Sequence, residues 1–363
     1  MVRPGALTGP GPLFRFMPAI RPNLLVIRRR YLGDLVLLSP LLRNLRLHWP
    51  QAPITVLVEP VYAAVLALNP DVDTVLTLPR GPVSWWRGLQ ALRRAGFTHV
   101  FDLDNTEKTA LLAWWTRAPF RAALLHEPPP RLRRLYTHVV VDPPAKHESR
   151  TIAEYYLQIL AAAGVPVISR AVRLVPRAAD LAATRPLVPS ASPRLLVHPG
   201  SRSPCRLWPL EHFAAVCDRA QAELGAHVVL VGGPGDRHLI ADLRRRTRST
   251  PAAIKHPLEA PLFAALAAQF DGMLCHDSGP MHIAAAVGTP VVALFGSQNL
   301  ALWRPAGDRH RLLQPPLPCR ECVAPGVCVP SNSYRSYCVR RLTVDEVFAA
   351  VRDLLAGPGA PHS

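Results

Sequence analysis

The sequence predicts an α/β fold built as two successive parallel-sheet halves. Three observations carry this reading. Short apolar runs bounded by turn residues alternate with longer amphipathic stretches, the pattern of βαβ units and a parallel sheet. The alternation breaks over 169–193, which is rich in Pro, Ala, Ser and Arg, and then resumes. The chain has 363 residues, roughly two domains of ordinary size.

In the first half, Leu24–Arg28 is apolar up to a basic turn and predicts a buried strand. Asp34–His48 has helical spacing and starts on an acid, which suits a helix N-terminus. Ile54–Val58 and Thr74–Leu78 are β-branched runs and predict strands, with a helix at Val61–Leu68 between them. Trp85–Ala95 predicts a helix, Thr98–Leu103 a strand, Lys108–Trp115 a helix and Val139–Val141 a strand. Ser149–Ala163 predicts a long helix stopped by Gly164, a residue suited to the left-handed turn after a helix. In the second half, strands are expected at Leu195–His198, His227–Val231, Gly272–Cys275 and Val291–Phe295. Helices are expected at Leu210–Leu224, Asp236–Arg246, Leu262–Ala268, Met281–Val287 and Val344–Leu355. Residues 315–337 read as irregular and Cys-rich, and the last residues, 357–363, as frayed.

Composition narrows the function classes. Hydrophobic residues make up 49% and charged residues 18%, which excludes global disorder. No apolar run approaches the ~18–20 residues of a membrane-spanning helix. The N-terminus has no apolar signal-peptide core, so a floppy leader and a cytoplasmic protein are expected. Seven Cys in a reducing compartment do not make a disulfide framework. Lys+Arg 42 against Asp+Glu 25 gives a net charge of +17, nearly all from Arg; the lysines are Lys108, Lys146 and Lys255. This charge reads either as a field for anionic partners or as the codon usage that raises Arg, Ala and Pro together. Nucleic acid is not expected as a partner: zinc-finger spacing, aromatic–basic RNA-binding signatures and heptad-linked basic regions are all missing.

Ligands in parallel sheets sit at the carboxyl ends of strands, so four turns draw attention. Arg28-Arg29-Arg30-Tyr31-Leu32-Gly33-Asp34 follows the first strand. Asp34 is either a helix-start residue or a general base at a strand end. His198-Pro199-Gly200-Ser201-Arg202 offers backbone N–H groups and a hydroxyl for a phosphate oxygen, with Arg206 in reach of the same anion; an ordinary Pro-Gly turn is the alternative. Val231-Gly232-Gly233-Pro234-Gly235-Asp236 is a Gly-rich turn without the dinucleotide-binding spacing. Asp236 either accepts from a ribose or caps the next helix. His276-Asp277-Ser278-Gly279-Pro280-Met281-His282 ends a strand and opens a helix on Pro280, making an anion site from helix N–H groups. Asp277, Ser278 and His282 surround it, His282 being either a functional or a structural histidine. Gly-x-Ser-x-Gly is missing, which disfavours a serine nucleophile.

Asp102-x-Asp104 reads as coincidence or helix capping. Cys319, Cys322, Cys328 and Cys338 are too unevenly spaced for a zinc ribbon; a structural clip is the remaining metal reading, and no catalytic metal or other cofactor is expected.

Taken in order, these turns resemble glycosyltransferase family 9, the ADP-heptose:lipopolysaccharide heptosyltransferases. The segment from Tyr31-Leu32-Gly33-Asp34 to Ser39-Pro40 resembles the family's opening motif, and the segment from His198-Pro199-Gly200-Ser201 to Arg206-Leu207-Trp208-Pro209 its phosphate loop. The run from His276 to Ala286 and Gly288-Thr289-Pro290 through Gly296 are similar to its longest signature. The resemblance spans roughly Leu24 to Leu355. It implies the GT-B fold, two Rossmann-like domains facing each other across a cleft, and an inverting, metal-independent transferase. The implied plan is a flexible leader (1–22), an acceptor domain (23–168), a linker (169–193), a nucleotide-sugar domain (194–340) and a closing helix and tail (341–363).

The resemblance also implies roles. Asp34 would be the base on the acceptor hydroxyl. Gly200, Ser201 and the N–H groups at Ser278 and Gly279 would hold the donor diphosphate, Asp236 the ribose, and Asp277 and His282 would face the donor sugar and pyrophosphate. Family members commonly carry Lys where this chain has Arg206, so charge is kept but a planar fork replaces a point charge. The implied partners are a nucleotide-sugar donor, ADP-heptose, and a glycolipid acceptor of the lipid A–core type. An anionic membrane surface, the inner face of the cytoplasmic membrane, would be met by basic stretches such as Arg131, Arg133 and Arg134, or Arg244–Arg246, whose alternative reading is a solvated face. Competing readings are another donor or acceptor within the family, a sugar-nucleotide 2-epimerase on the same two-domain fold, and a non-catalytic sugar-nucleotide-binding module.

Overall fold

The apolar run at Leu24–Ile27 (β1) forms the buried centre of a parallel sheet, with all four side chains out of contact with water. The computed structural model describes residues 21–78, 81–125, 131–141, 150–202, 206–254, 256–296, 298–315 and 338–357. After β1 come α1 (Leu32–Val36), α2 (Ser39–His48), β2 (Ile54–Val58), β3 (Thr74–Thr77), α3 (Pro82–Arg94), β4 (His99–Asp102), α4 (Glu107–Trp115), β5 (Phe120–Leu125), β6 (His138–Val141) and α5 (Ile152–Leu157). The helix α6 (Ala178–Thr184) precedes β7 (Arg194–His198), α7 (Leu210–Leu224), β8 (His227–Leu230), α8 (Arg237–Arg246), β9 (Ala252–Ala253) and α9 (Ala260–Ala267). The chain continues through β10 (Gly272–His276), α10 (Gly279–Ala286), β11 (Val291–Leu294), α11 (Leu300–Trp303), β12 (Arg311–Leu313) and α12 (Val344–Leu355).

The strands form two six-stranded parallel sheets, ordered β3-β2-β1-β4-β5-β6 and β12-β11-β10-β7-β8-β9. Each order reverses once, between β1 and β4 and between β7 and β10. Loops that leave a parallel sheet at such a reversal diverge and open a crevice. The loops of greatest interest follow these strands. The two lobes meet where α1, just after β1, packs on α10, just after β10. There the two chains approach too closely for side chains. A Cβ on Gly279 would lie 2.9 Å from Leu32, and one on Gly33 would lie 2.8 Å from the His282 ring. One apolar cluster continues through the junction, from Leu35 and Leu38 to Met281 and Ile283. On the far side of the first sheet, α3 and α4 cover a separate cluster that includes Leu25, Ile27, Val100 and Leu112.

Several expectations need correction. The helix expected over Asp34–His48 is two helices. Pro40 has no N–H for the Val36 carbonyl, and Ser39 Oγ donates to that carbonyl instead, at 2.7 Å. Residues Pro60–Leu68 form a tighter 3₁₀ helix. The helix expected to Ala163 is α5, started by a Thr151–Glu154 capping box, followed by a 3₁₀ helix at Gln158–Ala163. Gly164 then takes φ +65°. The stretch at 169–193 carries α6, which packs on α9. The strands β5, β9 and β12 and the helix α11 were not expected. The leader to Ile20 and the Cys-rich stretch, with Cys319, Cys322 and Cys328, lie outside the described residues; Cys338 is buried.

Candidate active site

In the first lobe, the sharp turn after β1 delivers Asp34 to the third position of α1. Its Oδ2 accepts from the Tyr31 backbone N–H at 3.1 Å, so it does serve the helix start. It does more than that. Oδ1 accepts from Arg28 Nη2 at 2.5 Å and from the Tyr156 hydroxyl at 2.6 Å. The carboxylate is only 3% exposed and lies at the lobe junction, beside His282. Arg28 also lies 3.5 Å from Asp104, which accepts from Arg29 Nε at 2.7 Å. Burial opposes the Arg28 charge, but Tyr156, Asp34 and Asp104 outweigh it and raise its pKa. Burial above all raises that of Tyr156, so its hydroxyl remains a donor.

Asp104 is therefore part of the cluster around Asp34, and coincidence does not describe it. Asp102 forms the turn before α4, accepting from the N–H groups of Asp104 and Asn105 and from the Tyr136 hydroxyl at 2.7 Å. Burial pushes its carboxyl up to about 6.

In the second lobe, the turns after β7, β8 and β10 converge. Gly200 is needed because the Asp236 carboxylate occupies the space of its missing side chain: a Cβ would lie 2.2 Å from Oδ2. Asp236 sits at the N-cap of α8, but its side chain does not bond into that helix. Its Oδ2 turns back to accept from Gly233 N–H at 2.8 Å and lies 3.9 Å from His198 Nε2. Arg206 donates to the Asp277 carbonyl at 3.1 Å, and its guanidinium lies 3.4 Å from the Asp277 carboxylate. That carboxylate is buried, and burial, opposed by Arg206, pushes it up to about 6. Ser278 is the N-cap of α10, yet its hydroxyl donates to the His276 carbonyl at 3.2 Å and leaves the first turn without a side-chain cap. The turn containing Ser201 follows Gly200 directly.

Two buried histidines brace the turns. His276 Nε2 accepts from Trp208 N–H at 2.8 Å, tying the loop after β7 to the end of β10. Burial drives its pKa down to about 3. His282, one turn into α10, packs against Gly33 of the first lobe, and its Nδ1 has no hydrogen-bond partner. Burial lowers its pKa to about 4 despite the attraction of Asp34. The lobes also touch through Arg202, whose guanidinium lies 3.9 Å from the centre of the exposed Tyr31 ring.

An open groove of about 860 Å³ lies beside the Asp34 cluster, at the carboxyl ends of β2 and β3. Arg29, Glu59, Val61, Trp85 and Lys108 line it, with the Lys108 ammonium 4.4 Å above the Trp85 ring. Sequence reasoning missed this groove and Tyr156, and it gave no role to Arg28, His276 or Arg202 within the turns it singled out. Arg28 stood in the singled-out motif; Tyr156 lay on a helix 122 residues from its partner.

Chemically, one lobe presents a buried carboxylate with fixed donors, and the other presents backbone N–H groups and Arg206 at a helix start. The first can accept a proton. The second can hold an anion.

The chain matches the family model described as Glycosyltransferase family 9 (heptosyltransferase) over residues 85–327. It is 24% identical over 291 residues to lipopolysaccharide heptosyltransferase 3 of Escherichia coli, covering 76% of this chain and 84% of the relative. Among solved structures, it is similar to a glycosyl transferase family 9 protein of Veillonella parvula, with a TM-score of 0.78, 22% identity and coverage of 92% and 97%. It is also similar to E. coli ADP-heptose lps heptosyltransferase II, with a TM-score of 0.76, 21% identity and coverage of 92% and 98%. The fold is the GT-B type, with two Rossmann-like domains facing each other.

Proposed function

The chain belongs to glycosyltransferase family 9, and from that premise we propose that it moves a heptose or related sugar from an ADP-linked donor to a lipopolysaccharide-core glycolipid. The reaction is inverting and metal-independent in this reading. The observation that carries it is the opposition of Asp34 and α10 across the lobe junction. Residues 23–168 act as the acceptor domain and 194–340 as the donor domain, joined by 169–193.

The donor diphosphate rests on Gly200, Ser201 and the N–H groups at Ser278 and Gly279. Arg206 meets its charge, Asp236 takes the ribose, and Asp277 and His282 bound the sugar end. The acceptor enters by the groove lined by Arg29 and Lys108. Asp34 removes the proton from the acceptor hydroxyl as its oxygen attacks the anomeric carbon. The bond from that carbon to the diphosphate oxygen breaks, and the electron pair leaves with the nucleotide. Fixed N–H donors and Arg206 stabilise the charge as it develops. A base on the face opposite the leaving group gives inversion. Arg206, a fork already engaged with Asp277, supports a second reading within the family, a different nucleotide-sugar donor.

Among the described residues no helix is long and apolar enough to cross a membrane. A glycolipid acceptor then places the protein at the inner face of the cytoplasmic membrane as a peripheral protein.

Calorimetry with ADP, UDP, GDP and CMP, followed by mass spectrometry of the acceptor after incubation with ADP-heptose, tests the reading. Preference for ADP by roughly tenfold or more and an acceptor heavier by one heptose are expected. Tighter binding of another nucleotide, with no transfer from ADP-heptose, contradicts it.

A further inference from the structure

We propose that the outer face of α3 and α4 is a docking surface for an anionic lipid bilayer. The inference deepens the glycolipid-acceptor reading and rests on it for orientation.

The sequence of each helix puts apolar and cationic residues on the side turned away from the sheet. On α3, Val83 and Trp86 point outward and are 63% and 54% exposed. On α4, Leu111 and Trp114 do the same, at 49% and 50%. Spacings of three put each pair on one helix face. The two helices pack side by side, with Trp86 and Trp115 rings 6.0 Å apart, so the four exposed residues share one surface. Trp86 and Trp114 are the only large exposed tryptophans among the described residues. Such an aromatic patch costs free energy in water unless a partner covers it.

The charge around the patch selects the partner. Exposed Arg87 and Arg94 lie on α3, Arg117 follows α4, and Arg133 and Arg134 form a turn packed on α4. Glu107 is the only exposed acid in this part of the described chain, and its carboxylate is engaged by the backbone N–H groups of Arg131 and Leu132. An amphipathic tryptophan ring beside unopposed cations matches the headgroup region of an anionic leaflet. An aqueous protein partner would need acids to meet these cations, whereas a leaflet supplies them in two dimensions.

Position adds a functional reason. The same two helices begin at the groove, which Gly81, Trp85 and Lys108 line. A bilayer on this face therefore lies beside the opening that leads, through Arg29 and Asp104, to Asp34. A lipid-anchored sugar can reach the groove without leaving the leaflet. The face is opposite the lobe junction, so docking leaves the donor side open to solvent.

The test is co-sedimentation of the whole chain with phosphatidylcholine vesicles, with and without about 30 mol% phosphatidylglycerol. Partitioning onto anionic vesicles should exceed that onto neutral ones by roughly tenfold, and fall as salt rises from about 50 to about 500 mM. Trp86→Ser with Trp114→Ser should lower it by roughly tenfold or more, while Ile168→Ser, an exposed apolar residue elsewhere, should not. Brominated lipid should quench the native tryptophan fluorescence and spare the double variant. Equal binding by wild type and double variant overturns the proposal. So does equal binding to neutral and anionic vesicles, or a change of oligomeric state in the double variant, which assigns the face to a second copy. Vesicle binding does not read sugar transfer, so its loss leaves the transferase reading standing. Transfer failing while vesicle binding persists indicts that reading alone.

Discussion

The Tyr156 hydroxyl donates a 2.6 Å hydrogen bond to Asp34 Oδ1, joining α5 to α1. Arg28 reaches the same oxygen from the strand end. With the Tyr31 N–H on Oδ2, the buried carboxylate has three donors and a fixed direction, which a base in a displacement reaction requires. The same contacts cost it freedom to move.

Tyr156→Phe separates positioning from structure. It removes one hydrogen bond to a buried charge, worth about 1–3 kcal/mol of stability. Turnover should fall by about tenfold with the donor KM unchanged. Steady-state kinetics and denaturant unfolding check this, and an unchanged kcat would show that the bond does not position the base.

Gly200→Ala forces Asp236 from its place, because the new methyl would sit 2.2 Å from its carboxylate. The Gly233 N–H then loses its acceptor. Nucleotide affinity should drop by about tenfold, about 1.4 kcal/mol. Gly235→Ala, with open space around its position, should bind normally. Calorimetry with the nucleotide reads both.

The buried histidines make stability depend on pH. His282 titrates near 4 in the native protein and near 6.5 when unfolded. Between those values the unfolded chain takes up a proton that the native chain refuses. The His282 contribution is thus complete above about pH 6.5 and is lost as pH falls towards 4. His276 acts the same way down to about pH 3. Asp102 and Asp277, raised to about 6, act in the opposite sense and favour the native state as pH falls below that. Comparing wild type with His282→Gln isolates one site. The variant should lose up to roughly 3 kcal/mol less between pH 7 and pH 4. Equal losses would mean that the ring is not buried at the junction.

Much of this was legible in the sequence, for reasons that differ by element. The strands β1, β2, β7 and β10 are compact apolar runs, and burial on both faces of a parallel sheet leaves no other pattern. Strand β5, Phe-Arg-Ala-Ala-Leu-Leu, contains Ala and Leu that favour helices equally well. Only its neighbours β4 and β6 make it a strand. The loops bearing Asp34, Asp236 and Asp277 were visible because turn chemistry is local. The bonds of Asp34 to Tyr156, and the packing of His282 on Gly33, depend on how distant segments meet. No local pattern encodes them. Asp104 is not marked locally, because its partners, Arg28 and Arg29, lie in the turn just after the neighbouring strand β1.

The central claim is that Asp34 takes the acceptor proton while the second lobe holds the diphosphate. Asp34→Asn keeps the shape and removes the base. Measured together, nucleotide binding by calorimetry should be nearly unchanged and single-turnover sugar transfer should slow by about 10²–10⁴. Transfer at the wild-type rate in a folded, nucleotide-binding Asp34→Asn protein would contradict the account.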